Sequence, residues 1–190
     1  MSSDFACPTL PTDIAESNNM VLVNNTNIKK LTLTTCSASH QQRNWPCLNV
    51  LKAAGGWAFD GKVPAWTSVE LITPAEVSRV TIASAVGRND GHHPTLIKLE
   101  LKVGNDWVLP KWPEIDIAAA SYNQQTGQFS LPDKTKYVQI KFDPTKGVTK
   151  VKLHVYKSDI KSNNAVVNEI QVLGSLPVAG YHFKEPTTFG

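Results

Sequence analysis

Apolar and polar residues alternate along much of this chain with a period of two, the spacing of strands that bury one face. The run 96–103, Leu-Ile-Lys-Leu-Glu-Leu-Lys-Val, is the cleanest case. Gly104-Asn105-Asp106 then turns the chain into Trp107-Val108-Leu109, which predicts a hairpin. The run 166–174, Val-Val-Asn-Glu-Ile-Gln-Val-Leu-Gly, nearly alternates and is stopped by Gly174. Residues 30–36, 66–71, 77–82, 129–131, 137–142 and 150–156 carry further strand signals, many of them rich in β-branched residues. Residues 20–23 form a short apolar run, and the only helical suggestion is a short turn near 49–54. Serial short strands with glycine and proline punctuation predict an all-β sandwich or jelly roll of about eight strands, with less than about one fifth helix.

Between these runs the pattern lapses in three places. Residues 37–64 are rich in glycine, tryptophan and asparagine, and are long for a structureless connection. Loops of that length tend to carry function. Residues 1–29 hold Pro8, Pro11, Asp13 and several asparagines, and read as an N-terminal arm plus a first short strand. Residues 175–190, with Pro177, Tyr181, Phe183, Pro186 and Phe189, read as an extended C-terminal tail, packed on the sandwich or reaching for a partner. The sandwich itself is expected over 30–174.

Composition narrows the function classes. A chain of 190 residues is about one domain with extensions, and 41% hydrophobic residues is ordinary for a globular protein. The formal net charge is +3, with no cationic cluster longer than Lys29-Lys30, so a nucleic-acid partner is not expected. No run reaches the roughly 18 apolar residues of a transmembrane segment. The first residues show neither the basic flank nor the apolar run of a secretory signal. Cys7, Cys36 and Cys47 make an odd set. Cys36 closes a strand and Cys47 lies in the loop after it, so the two can approach. The expectation is nonetheless a cytoplasmic protein with all three thiols reduced. The glycosylation triplet at Asn24 matters only for an exported chain.

Candidate chemistry is sparse. There is no Gly-x-Ser-x-Gly elbow and no recognisable cysteine nucleophile, so catalysis is not expected. Glu114 and Asp116 are explained by alternation on a solvated strand-like run. His92 and His93 are adjacent, and adjacent strand residues point to opposite faces, which suits a polar loop tip better than a metal site. His40, His154 and His182 offer no ligand spacing, and no cofactor is implied. Trp66 and Trp107 begin strands and are expected in the core or packed on the sheet. Trp45, Trp57 and Trp112 sit beside Pro46, Gly56 and Pro113 in loop-like contexts. Each is either a hydrophobic plug or an exposed platform for a sugar face or a partner pocket.

In order, Asn49-Val50-Leu51, Trp57, Trp66-Thr67-Ser68-Val69-Glu70-Leu71, the Val77–Val80–Ile82 pattern, Tyr137-Val138-Gln139-Ile140 and Glu169-Ile170-Gln171-Val172-Leu173-Gly174 resemble the motifs of discoidin-like domains. These are the coagulation factor C-type, galactose-binding-like β-sandwiches. The resemblance spans roughly 30–174 and implies a jelly-roll sandwich whose ligands meet loops at one end. Carried onto this chain, those loops are 40–64 and 84–94, presenting Trp45, Trp57, Arg88, Asn89, Asp90, His92 and His93. Two positions depart from the family pattern. Lys52-Ala53 stands where members that hold calcium have Asp-Gly, which argues against the metal, although Asp60-Gly61 could substitute if the loop is rethreaded. Asn168 stands near where some sugar-binding members have an arginine.

Two readings of function follow. The preferred one, drawn from the free thiols, the missing secretory signal, the missing calcium aspartate and the long ends, is a non-catalytic intracellular protein-interaction or structural subunit of a larger assembly, such as a ciliary or cytoskeletal one. The aromatic and polar loop cluster favours a soluble lectin that binds carbohydrate.

Overall fold

A computed structural model describes residues 28–52, 55–85 and 92–177. The arm and the tail, including Cys7 and the run 20–23, lie almost wholly outside them. Eleven strands form among the described residues: β1 (Lys29–Lys30), β2 (Leu33–Ala38), β3 (Trp57–Ala58), β4 (Ala65–Ser84), β5 (Pro94–Val103), β6 (Asp106–Val108), β7 (Glu114–Ile115), β8 (Ser121–Asn123), β9 (Gln128–Ser130), β10 (Tyr137–Ser158) and β11 (Val166–Ser175). The only helical element among them is the 3-10 turn Cys47–Leu51, close to the turn expected near 49–54. The all-β expectation holds, and the predicted hairpin forms with Val103 opposite Asp106.

Hydrogen bonding links all the strands into one antiparallel sheet, in the order β1-β11-β4-β10-β5-β9-β8 with β2, β3, β6 and β7 attached beside it. Two long strands let this sheet fold over into a sandwich. The first half of β4, 65–71, pairs with β2 and with 150–155 of β10; its second half, 77–84, pairs with β11 and with 137–145 of β10. The halves of each long strand therefore belong to different layers.

The folds in β4 and β10 are bulges rather than turns. Val148 lies opposite Ala75 but Lys150 lies opposite Glu70, so Leu71 to Pro74 swell out of the ladder. Ile72, Thr73 and Pro74 are exposed there. On β10 the slip falls between Lys141 and Thr145, around Asp143-Pro144, where proline withholds a ladder donor. Sequence reading split each long strand in two at these residues. Proline and glycine mark the break in alternation, but a bulge marks it equally well, and here the backbone carries on.

Leu31 and Thr32 split the expected strand 30–36 in the same way. The Leu31 N–H donates to Val172 O at 2.8 Å in one layer, and the Ile72 N–H donates to Thr32 O at 3.0 Å in the other, so the chain changes layer between them. Gly174 does not end β11. A Cβ there would lie 1.9 Å from the Glu76 carbonyl oxygen, so the glycine is required by a close approach of β4 at a register slip.

Alternation is met by burial in both layers. Val69, Val80, Ile82, Leu99, Leu101, Ile140, Leu153, Ile170 and Val172 are at most 2% exposed and join one core cluster. At roughly 1.5–3 kcal/mol per buried aliphatic side chain, this shared core is the main force holding the layers together.

Candidate functional site at the loop end of the sandwich

Segment 39–64 is long but not loose. Its first anchor is covalent: Cys36 and Cys47 form a disulfide, with Cα atoms 6.0 Å apart. This corrects the expectation of reduced thiols. The two half-cystines lie 11 residues apart, but β2 and the 3-10 turn that carry them pack against each other. The second anchor is Trp57. It is fully buried, its ring lies 5.0 Å from that of Phe59, and its indole N–H donates to His40 O at 3.0 Å. Of the two roles open to it, Trp57 is the plug and offers no surface to a ligand. Glycine at 56 lets the chain pass closely over β11, where a Cβ would lie 2.7 Å from Val167 O.

Two carboxamides fasten the rest. The Asn49 side chain donates to Gly56 O at 3.0 Å, and Asn168 donates to Gly55 O at 2.9 Å. Asn168 is thus engaged in holding the loop. Backbone bonds from Gln42 N to Ala58 O and from Ala58 N to Trp45 O pin residues 42–45 alongside β3.

On this scaffold Trp45 is half-buried and stands between two depressions. One, of about 460 Å³, is open and is lined by Gln41, Gln42, Arg43, Asn44, Trp45 and Asp60. The other, of about 130 Å³, is lined by Gln42, Trp45, Ala58, His92, Asn164, Ala165 and Val166. Gln42 and Trp45 belong to both. An aromatic ring flanked by a carboxamide, an imidazole, a guanidinium and a carboxylate can stack on an apolar ring face and hydrogen-bond to hydroxyls around it. The Asn164 Oδ1 atom is buried with no hydrogen-bond partner among the described residues, in a molecule where such groups are few.

The predicted site residues separate. Trp45 and His92 come together. His93 turns inward and is fully buried, where its ring Nδ1 meets Asp159 Oδ2 at 2.7 Å and its backbone N–H donates to Asp159 Oδ1 at 2.9 Å. This is the opposite-face geometry of adjacent residues, and it removes His93 from the exposed surface of the loop end. Arg88, Asn89 and Asp90 lie outside the described residues. Burial alone would raise the Asp159 carboxyl, but bonds from the His93 ring, the His93 backbone and the Lys134 backbone together hold it below the ordinary aspartate value. His93 and Asp159 thereby tie the start of β5 to the end of β10 beneath the site.

Sequence reading missed Gln42 and Asn164, and weighed Asp60 only as a candidate calcium ligand. Asn164 lies in the polar stretch before β11, and no local pattern sets it apart from Asn163. Among the described residues no group of histidine, cysteine, aspartate or glutamate has the geometry to hold a metal ion, and no helix is long and apolar enough to cross a membrane.

The remaining tryptophans divide as well. Trp66 and Trp107 pack on the outer face of the sheet, where the Lys152 ammonium lies 4.9 Å from the first ring and 3.8 Å from the second. Glu100 beside them accepts from Lys98 and pairs with His154 at 2.6 Å; these side chains are about one fifth exposed or less, so the network is closed on itself. Trp112 is 74% exposed.

No family model matches the chain, and no curated protein matches it. Solved structures do. The family 32 carbohydrate-binding module of Clostridium perfringens NanJ, in complex with galactose, is 15% identical with a TM-score of 0.59, over 77% of this chain and 98% of that one. A second family 32 module from the same organism, in complex with GalNAc-β-1,3-galactose, is 17% identical with a TM-score of 0.58, over 76% and 99%. The lectin domain of lectinolysin, complexed with Lewis b antigen, is 12% identical with a TM-score of 0.54, over 74% and 92%. The fold is therefore the discoidin-like, galactose-binding-like β-sandwich.

Proposed function

We propose that this protein is a non-catalytic carbohydrate-binding module whose ligand seats at the loop end, on Trp45, Gln42, His92 and Asn164. The observation that carries this reading is the position of Trp45. Its ring stands between two depressions, on a segment locked by a disulfide and by buried Trp57, with hydrogen-bonding side chains on both sides. Rigid support lowers the entropy cost of binding, and the mixture of ring and polar groups matches the two kinds of surface on a sugar. The sugars named for the similar folds add support by analogy only.

The reading as an assembly subunit drew on free thiols, and the Cys36–Cys47 disulfide removes that ground. Another of its grounds, the arm and tail, lies almost wholly outside the described residues. Disulfides persist in oxidising compartments, so we further propose that the protein works outside the reducing cytosol. Mass spectrometry of alkylated protein from its native source tests this; Cys36 and Cys47 recovered as free thiols would overturn it.

The binding proposal is tested on a glycan array followed by calorimetry. Trp45→Ala and Gln42→Ala are each expected to weaken the wild-type glycan at least about tenfold, equivalent to about 1.4 kcal/mol. Melting temperature should stay within a few degrees of wild type. Absence of any glycan binding by wild type, or undiminished binding by Trp45→Ala, would reject the site.

A further inference from the structure

An exposed aromatic ring lines a depression that shares no residue with the two at the loop end. Trp112 is exposed over 74% of its surface, and its φ is +48°, in the left-handed region that bulky residues avoid. Both features cost free energy, and the fold obtains no apolar burial in return. The conformation is nevertheless held firmly. Pro110 and Pro113 bracket the segment, Pro110 is buried, and the Asp143 N–H donates to Lys111 O at 3.0 Å. Strain kept in place by rigid neighbours points to function.

The surroundings complete a site. Lys111, Trp112, Tyr122, Gln124 and the two prolines line a depression of about 290 Å³, just below the roughly 300 Å³ at which sites for drug-sized ligands begin. Tyr122 is fixed by its ring, 4.6 Å from that of fully buried Phe129. Gln124 rides on a tight turn in which Asn123 Oδ1 accepts the Gln125 and Thr126 N–H groups at 2.9 and 3.2 Å. The result is an exposed indole, a second ring, a carboxamide and an ammonium around a cup. That combination suits one pyranose ring: apolar carbons on the indole, hydroxyls toward Gln124 and Lys111. A peptide or a lipid surface would need a larger apolar area.

We propose that Trp112 and Tyr122 form a second sugar-binding subsite that takes a single pyranose residue of a glycan. This rests on the carbohydrate reading of the loop end, but it is independent of that site's residues.

The test follows tryptophan indole N–H signals by NMR in the full-length protein. The probes are galactose, N-acetylglucosamine, glucuronic acid and the tetrasaccharides built from them. Trp112→Asn identifies the Trp112 signal and suits the left-handed backbone, so its melting temperature should equal or exceed that of wild type. The Trp112 signal is expected to shift saturably with at least one probe, with a dissociation constant on the order of 1 mM. The shift should persist in Trp45→Ala and disappear in Tyr122→Ala. A Trp112 signal that stays fixed with every probe would overturn the subsite, whatever Trp45 does. A response at Trp112 with none at Trp45 would uphold the subsite and reject the loop end. A response at Trp112 that is lost in Trp45→Ala would reduce the two to one site and overturn this inference.

Discussion

At the residue scale, two tryptophans that both read as loop residues in the sequence are placed oppositely in the fold. Trp57 follows Gly-Gly and is fully buried, whereas Trp112 sits between prolines and is 74% exposed. Trp57→Ala should therefore destabilise the protein by about 3–5 kcal/mol through an unfilled cavity, read by urea unfolding. The same method on Trp112→Asn should show no loss. The His93–Asp159 pair allows a pH prediction. The Asp159 carboxyl titrates lower in the folded chain than in the unfolded one. Its contribution is thus fully present above the unfolded aspartate pKa and is lost as pH falls through the lower folded value. Asp159→Asn should flatten the acid limb of melting temperature against pH. At neutral pH it should cost about 1–3 kcal/mol, because it disturbs buried hydrogen bonds. An acid limb identical to wild type would show that the pair does not govern acid stability.

At the element scale, the proposed binding site depends on tying a long loop to a sheet. The Cys36–Cys47 bridge closes a short loop between β2 and the 3-10 turn. Replacing both cysteines by alanine should cost about 2–4 kcal/mol and lower the melting temperature, while circular dichroism still reports a β-rich fold. Glycan affinity should fall with it, since residues 42–45 hang on the same segment. Gly174 is the other element-level constraint. Gly174→Ala drives a methyl group into the Glu76 carbonyl, so β4 and β11 must separate at the slip. A loss of about 1–3 kcal/mol is expected, with faster amide exchange along 167–174; unchanged exchange would show that the ladder has room to spare.

At the scale of the whole molecule, the two bent strands make one sheet into two layers, and most contacts among the described residues join positions distant in the chain. Removing the ends should matter little to this arrangement, since the eleven strands and the core cluster found among the described residues pair and pack with one another. A fragment of residues 28–177 is expected to unfold cooperatively, within a few degrees of the full chain. A molten fragment would assign the arm or tail a structural part.

What the chain determined locally was its strands. Period-two alternation depends only on neighbours, so β5, β6, β9 and β11 stand close to where the pattern puts them. The ordered motifs from Asn49 to Gly174 were enough to indicate the discoidin-like sandwich, because they record burial positions along that fold. Only tertiary structure decided the rest. Pro74 and Pro144 break the pattern whether the backbone turns or bulges, and hydrogen bonds from strands far away select the bulge. Cys36 and Cys47 pair because β2 and the 3-10 turn pack together. Trp45, Gln42, His92 and Asn164 converge from three segments, and no local signal records such convergence. A tryptophan's role in a loop is set by whether another part of the chain covers it, and that is a property of the folded molecule rather than of its neighbours in sequence.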